Sequence, residues 1–168
     1  LPNDLNNCGD IIVESAGRGF VTVGTWYSSP AGNGYHFALA RNGSNTHSVD
    51  WQIALPRAGK YIVSAYIPAY NASTRGANYR IHTASGWQTV TLDQQNFNDQ
   101  WATLGTFDFN AGETHVWLSG QTNEPVSSTW IAADSMRFRP VAVSVAAANG
   151  AVPPSYNQRE FLPGISTP

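Results

Sequence analysis

In Thr46–Leu55, Val49, Trp51, Ile53 and Leu55 alternate with Ser48, Asp50 and Gln52. A period of two sends the two sets to opposite sides of an extended chain, so this stretch buries one face and wets the other only as a β-strand. The repeat returns in Lys60–Ile67, where Tyr61, Val63, Ala65 and Ile67 share a side, after the turn Pro56-Arg57-Ala58-Gly59. Phe20–Tyr27 reads as a strand broken at Gly24, and Gly34–Ala40 follows a Pro-Ala-Gly-Asn-Gly turn. Tyr79–Thr83 and Trp87–Leu92 read as a hairpin across Ala84-Ser85-Gly86. No segment sustains a helical period. Short strands joined by Gly and Pro turns predict an all-β fold, an antiparallel β-sandwich or jelly roll.

The stretch from Trp101 to Pro140 completes the set as strand, Asn-Ala-Gly turn, strand, polar loop and last strand. In that last strand Trp130, Ala132, Asp134, Met136 and Phe138 fall on one face, which turns Asp134 toward the core. A carboxylate among apolar neighbours needs a cation, an arginine such as Arg137 or Arg80, or several N–H groups.

The length of 168 residues suits one domain with appendages. We expect an N-terminal arm over 1–10, a sandwich over 11–140 and an extension or linker over 141–168. Val141–Gly150 is small and apolar, and the Pro-rich remainder is expected to pack on its own domain or on a neighbour. Charged residues make up only 12% of the chain, and Asn, Gln, Ser, Thr and Gly supply the polarity. Such a surface suits uncharged, hydroxyl-rich ligands. A net charge of −2 with one lysine, Lys60, argues against nucleic acid. No apolar run approaches the roughly 20 residues of a membrane helix. The chain has neither a signal peptide nor an initiator Met, so it reads as a processed piece of a longer secreted product. The single cysteine, Cys8, forms no internal disulfide and reads as a plain thiol. Asn42-Gly43-Ser44 and Asn71-Ala72-Ser73 match glycosylation sequons, a pattern that arises by chance in Asn- and Ser-rich chains.

Catalytic motifs are absent: no Gly-x-Ser-x-Gly, no His-Glu-x-x-His, no phosphate loop, and four scattered histidines. The pattern points to binding. A saccharide presents an apolar ring face and many hydroxyls, so its binder needs aromatic planes beside amide or carboxylate groups. Six tryptophans are available. Trp26 and Tyr27 precede a Gly-rich loop, Trp87 follows a Gly turn and Trp130 follows the Asn123–Thr129 loop, whereas Trp51 and Trp101 read as core or framework. The polar excursion Ala69–Ala77, with Tyr70, Asn71 and Arg75, has the composition of a binding lip.

Five segments in order resemble a known family: Gly19–Ala38 (GFVTVGTWYSSPAGNGYHFA), Trp51–Ala69 (WQIALPRAGKYIVSAYIPA), Ala77–Gln94 (ANYRIHTASGWQTVTLDQ), Trp101–Glu113 (WATLGTFDFNAGE) and Trp130–Phe138 (WIAADSMRF). Together they resemble the golvesin C-terminal-like domain, also described as the golvesin and xanthan lyase carbohydrate-binding-like domain. The resemblance spans nearly all of Ile11–Arg139 and leaves the tail after Pro140 unexplained. It implies a galactose-binding-like jelly roll attached to secreted bacterial hydrolases, lyases and peptidases, with a role in attachment to polysaccharide or cell wall. Related sugar modules often place the ligand at the loop end of the sandwich, which favours Tyr70, Asn71, Arg75, Trp26 and Trp130. They also often hold one structural Ca²⁺ between an N-terminal acid and an acid of the last strand. Glu14 and Asp134 are the counterparts here.

The expectation is a non-catalytic accessory module that attaches a secreted, extracellular protein to a polysaccharide or cell-wall glycan. Its ligand-binding residues would be Trp26, Tyr27, Tyr70, Asn71, Arg75, Trp87 and Trp130. The alternative is a structural subunit of an extracellular fibre or surface assembly, self-associating through the C-terminal extension, for which Val141–Ala148 has a suitable small apolar character.

Overall fold

The computed structural model describes residues 9–30, 34–40, 46–125 and 129–142. Cys8, the Asn42 sequon, residues 1–8 of the N-terminal arm and all but the first two residues of the 141–168 extension lie outside the described residues.

Three antiparallel sheets form. The first joins β1 (Ile11–Val13), β12 (Met136–Pro140), β6 (Gly59–Ile67) and β9 (Gln100–Phe109) in that order. The second joins β2 (Phe20–Val23), β5 (Ser48–Leu55), β10 (Gly112–Ser119), β7 (Ala77–Thr83) and β8 (Gly86–Leu92). A small third sheet runs β11 (Trp130–Ala133), β4 (His36–Leu39) and β3 (Tyr27–Ser28). The two larger sheets pack their alternating apolar faces into a single core. Val49, Trp51, Ile53 and Leu55 of β5 are buried from one side, and Tyr61, Val63, Ala65 and Ile67 of β6 from the other. This is the antiparallel β-sandwich of the jelly-roll kind that the alternation predicts.

Two glycines are required by geometry. Gly24 has φ 79°, and a Cβ there would lie 2.3 Å from the Thr46 carbonyl oxygen, so the break between β2 and β3 falls where the sequence places it. Gly105 has φ 153° and sits where the β6–β9 register shifts between Val63 and Ser64, forming a bulge closed over by the Phe107 ring.

The last strand differs from expectation. Trp130–Pro140 is two strands in two different sheets: β11 pairs with β4, while β12 pairs with β1 and β6. Asp134 and Ser135 make the crossing. Asp134 is therefore half-buried at a junction and not turned into the core. The core-facing set slips by one residue at the crossing: Ile131 and Ala133 reach the core before it and Met136 and Phe138 after it, so Trp130 and Ala132 do not share a face with Met136 and Phe138 as the alternation predicts. The Trp51 indole donates to the Asp134 carbonyl oxygen at 2.7 Å and ties the junction to β5.

Among the described residues the outer edge of β11 pairs with no strand; its polar groups are met by other means. Ser73 and Thr74 donate their N–H groups to the Trp130 carbonyl at 2.9 and 3.0 Å, and the Trp130 N–H donates to Ser73 Oγ at 2.9 Å. Gln94, fully buried, accepts the Ala132 N–H at 3.0 Å and donates to both the Ala132 carbonyl and the Tyr79 hydroxyl at 2.9 Å. Its own N–H donates to the Thr74 carbonyl at 2.9 Å. One amide thus imitates a strand neighbour while anchoring the loop between β6 and β7.

Gln94→Leu keeps the volume and leaves the Ala132 N–H, the Ala132 carbonyl and the Tyr79 hydroxyl without that partner. It should destabilise the fold by about 3 kcal/mol or more in denaturant melts. Gln95→Ala, on the exposed next residue, should cost less than about 1 kcal/mol.

Candidate functional site

The loop after β6 is held at both ends. Ala69 donates its N–H to Asp99 Oδ1 at 3.0 Å, and Asn71 Oδ1 accepts the Tyr35 hydroxyl at 2.9 Å. Asn71 and Asp99 have φ of 60° and 49°, in the left-handed region that Asn and Asp tolerate better than other side chains. At the far end, Glu124 accepts the Arg75 N–H at 2.9 Å and the hydroxyls of Thr74 and Thr129. Burial pushes the Glu124 carboxyl up, but the Arg75 N–H and the Thr74, Thr129 and Thr122 hydroxyls together hold it below its ordinary value.

This pinned loop forms one side of a cleft of about 470 Å³ at the sandwich rim, within the range of small-ligand sites. Tyr35, Tyr66, Tyr70 and Trp101 supply its rings, and Glu14, Asp99, Asp134 and Ser135 its polar groups. Tyr70 is 72% exposed. Trp101 is half-buried: the Arg137 guanidinium lies over its ring at 4.3 Å, and Tyr66 meets it edge-on at 5.3 Å. Burial, with the Asp99 and Asp134 charges, raises the Tyr66 phenol, which stays a proton donor at neutral pH.

Ser135 Oγ donates to Glu14 Oε2 at 2.5 Å and lies 3.2 Å from Asp134 Oδ1, so one hydroxyl stands between two carboxylates. Burial raises the Asp134 carboxyl above its ordinary value; hydrogen bonds from Ser135 oppose the shift, and the Glu14 and Asp99 charges add to it. Neither Arg137 nor Arg80 neutralises it. Arg137 lies 4.0 Å from Asp10, and Arg80 stacks on Trp87 and Trp117. Among the described residues no group of three or more His, Cys, Asp or Glu is placed to hold a metal. Glu14 and Asp134 come together across the Ser135 hydroxyl, and calcium, which takes roughly six to eight oxygens, would need backbone carbonyls or water beside them.

The cleft gathers three of the sequence-predicted residues, Tyr70 from the lip and Glu14 and Asp134 from the proposed ion site, while Asn71 holds the Tyr35 hydroxyl beside it. The others lie elsewhere. Trp26 packs against the core, its indole N–H shared between the Val23 and Ser48 carbonyls at 3.2 Å each, so its ring is a framework element. Tyr27 and Trp130 meet edge-to-face at 6.3 Å on the small third sheet, both against Phe37. Arg75 donates from Nε to Gln95 Oε1 at 3.0 Å and is not part of the cleft lining. Trp87 lies on the outer face of the five-stranded sheet. Sequence reasoning missed Trp101, Tyr35 and Asp99 as cleft residues. The positive-φ turn at Asp99 carries no sequence mark beyond an Asn-Asp pair.

A two-sheet antiparallel jelly roll with a ring-and-carboxylate cleft at its rim is the class of domain these features define. The chain belongs to the golvesin C-terminal domain family, whose model matches residues 11–140. Comparison with curated proteins finds no match. Among solved structures, the Paenibacillus xanthan lyase is similar with a TM-score of 0.67 and 24% identity over 80% of this chain and 13% of that one. The chain thus corresponds to a small part of that enzyme. A family 35 carbohydrate binding module from Clostridium thermocellum gives a TM-score of 0.53 and 12% identity, covering 77% of this chain and 98% of the module. The Podospora anserina GH26-CBM35 β-(1,4)-mannanase gives 0.51 and 16%, covering 80% of this chain and 28% of that one. At these identities the likeness is one of fold.

Two carboxylates should respond oppositely to pH. Asp134 holds its proton more tightly when folded, so its contribution makes stability fall as pH rises from 3.8 through the higher folded value. Asp134→Asn should remove that fall and raise the melting temperature at pH 7. Glu124 is held below its ordinary 4.5, so its contribution is present above that value and lost as pH falls through the folded one. Glu124→Gln should cost about 1–2 kcal/mol at pH 7, with the difference from wild type narrowing in acid. Thermal melts with added calcium and with chelator test Glu14 and Asp134 as an ion site: a rise in calcium would show a bound ion by mass action, and coinciding melts would show none.

Proposed function

We propose that the chain is a non-catalytic module that binds a saccharide in the rim cleft and attaches a secreted parent protein to an extracellular or cell-wall polysaccharide. The observation that carries this reading is the meeting of aromatic rings, Tyr70 among them largely exposed, with three carboxylates in one open cleft. Tyr66, Tyr70 and Trp101 offer surfaces for the apolar face of a sugar, and Asp99, Asp134 and Glu14 accept its hydroxyls. The loop is fixed before any ligand arrives, by Asp99, Tyr35 and Glu124, so little conformational entropy is lost on binding.

Catalysis has little support in the same cleft. A glycosidase needs two carboxyl groups flanking a bond, with room for the substrate between them. The Ser135 hydroxyl fills the space between Glu14 and Asp134. The modules similar in fold over nearly their whole length are titled carbohydrate binding modules, which agrees with this reading. Among the described residues no helix is long and apolar enough to cross a membrane. A single cleft of this size gives modest affinity, and tethering to the parent raises the effective concentration at the polymer.

Tyr70→Ala should weaken retention in neutral-polysaccharide affinity gels by about tenfold. Its melting temperature should stay at the wild-type value, because the ring is 72% exposed. Trp26→Ala should do the reverse and lower the melting temperature while folded protein keeps its retention. Undiminished retention of Tyr70→Ala across a neutral-glycan array would sink the assignment of the cleft.

A further inference from the structure

We propose a second saccharide site, on the outer face of the five-stranded sheet, that takes a carboxylate-bearing sugar of an acidic polysaccharide. The register sets Asp50, Trp117, Arg80 and Thr89 side by side across β5, β10, β7 and β8. The Arg80 guanidinium carbon lies 5.0 Å from the Trp87 ring centre and 5.6 Å from that of Trp117. Two indoles therefore hold the guanidinium, and Trp87 remains 47% exposed.

Among the described residues Arg80 has no carboxylate partner, unlike Arg137 and Arg139, which face Asp10. The nearest acid in the row, Asp50, takes His115 at 3.0 Å. A guanidinium held over two indoles, with no carboxylate partner among the described residues, keeps an N–H fork whose geometry matches a carboxylate.

The surroundings select the rest of the ligand. A groove of about 540 Å³ runs past Arg80 and Trp117, and its remaining lining side chains are amides and hydroxyls. Asn78 is oriented by Thr91, whose hydroxyl donates to Asn78 Oδ1 at 2.8 Å. Among the described residues Arg80 is the only charge in the lining, too little for a phosphate backbone, which needs several cations. The aliphatic side chains that would fill the core of a protein interface are absent from it. Indoles, amides, hydroxyls and one fork-shaped cation together match a uronate ring within a sugar chain. This site shares no lining residue with the rim cleft, so the two stand or fall separately.

Affinity electrophoresis in chelator-containing gels, with polygalacturonate or its carboxyl-reduced counterpart as probe, tests the proposal. Wild type should be retarded by polygalacturonate, less so at high salt, and only weakly by the reduced polymer. Arg80→Gln should lose at least about tenfold in retention, and Arg80→Lys should not restore it, since an ammonium lacks the planar fork. Thr89→Glu, which sets a competing carboxylate beside an intact Arg80, should abolish retention as well. Tyr70→Ala should leave polygalacturonate retention unchanged. Equal retardation of wild type by both polymers, no retardation by either, or full retention by both Arg80→Gln and Thr89→Glu would overturn the proposal. So would loss of polygalacturonate retention in Tyr70→Ala.

Discussion

The free edge of β11 is the constraint on which the rest of the rim depends. A two-sheet sandwich whose last segment crosses between sheets leaves one short strand with an unpaired side, and unmet N–H and C=O groups there would be costly. Gln94 and the Ser73–Thr74 backbone satisfy that edge. Because the partners come from the segment after β8 and from the loop after β6, meeting the edge also fixes both segments. The loop that walls the cleft is thus held by the need to satisfy β11, and Glu124 closes its other end. Packing, backbone hydrogen bonding and site geometry are one requirement here.

The sequence makes the sheet legible and hides its interruptions. Alternation places β5, β6 and the β7–β8 hairpin to within a few residues, buries Trp51, and marks Gly24 as a break. Five quoted segments are enough for the family, whose model then matches residues 11–140. What an unbroken reading of alternation cannot register is a change of sheet that slips the phase by one residue, from Ile131 and Ala133 to Met136 and Phe138, and so Asp134 reads as a core residue when it sits at a crossing. Nor can it distinguish among six tryptophans. Trp26 has the setting of a loop-edge platform, yet two backbone carbonyls hold its N–H. Trp101 opens a strand and reads as framework, yet it lines the cleft. The polar lip after β6 is visible because loops rich in Asn, Ser and Arg between strands carry little else. Gln94 and Asp99, which hold that lip, lie in a short irregular passage where no periodicity applies.

Charge divides the rim cleft from the sheet-face groove. At the rim, Glu14, Asp99 and Asp134 share a cleft without a cation in its lining, and burial with mutual repulsion raises the Asp134 carboxyl. On the sheet face, Arg80 is the one charge in its groove. An anionic sugar would be repelled from the first and drawn to the second, while a neutral sugar would meet no penalty at the rim. If both surfaces bind, they select different residues of a polymer. A chain carrying neutral and acidic sugars would then engage one domain at two points, and the second contact would form at the high effective concentration set by the first. The sandwich contributes rigidity to this: sheets that share one core keep the two surfaces at a fixed separation. The spacing of acidic residues along a polymer would then govern recognition as much as their identity does.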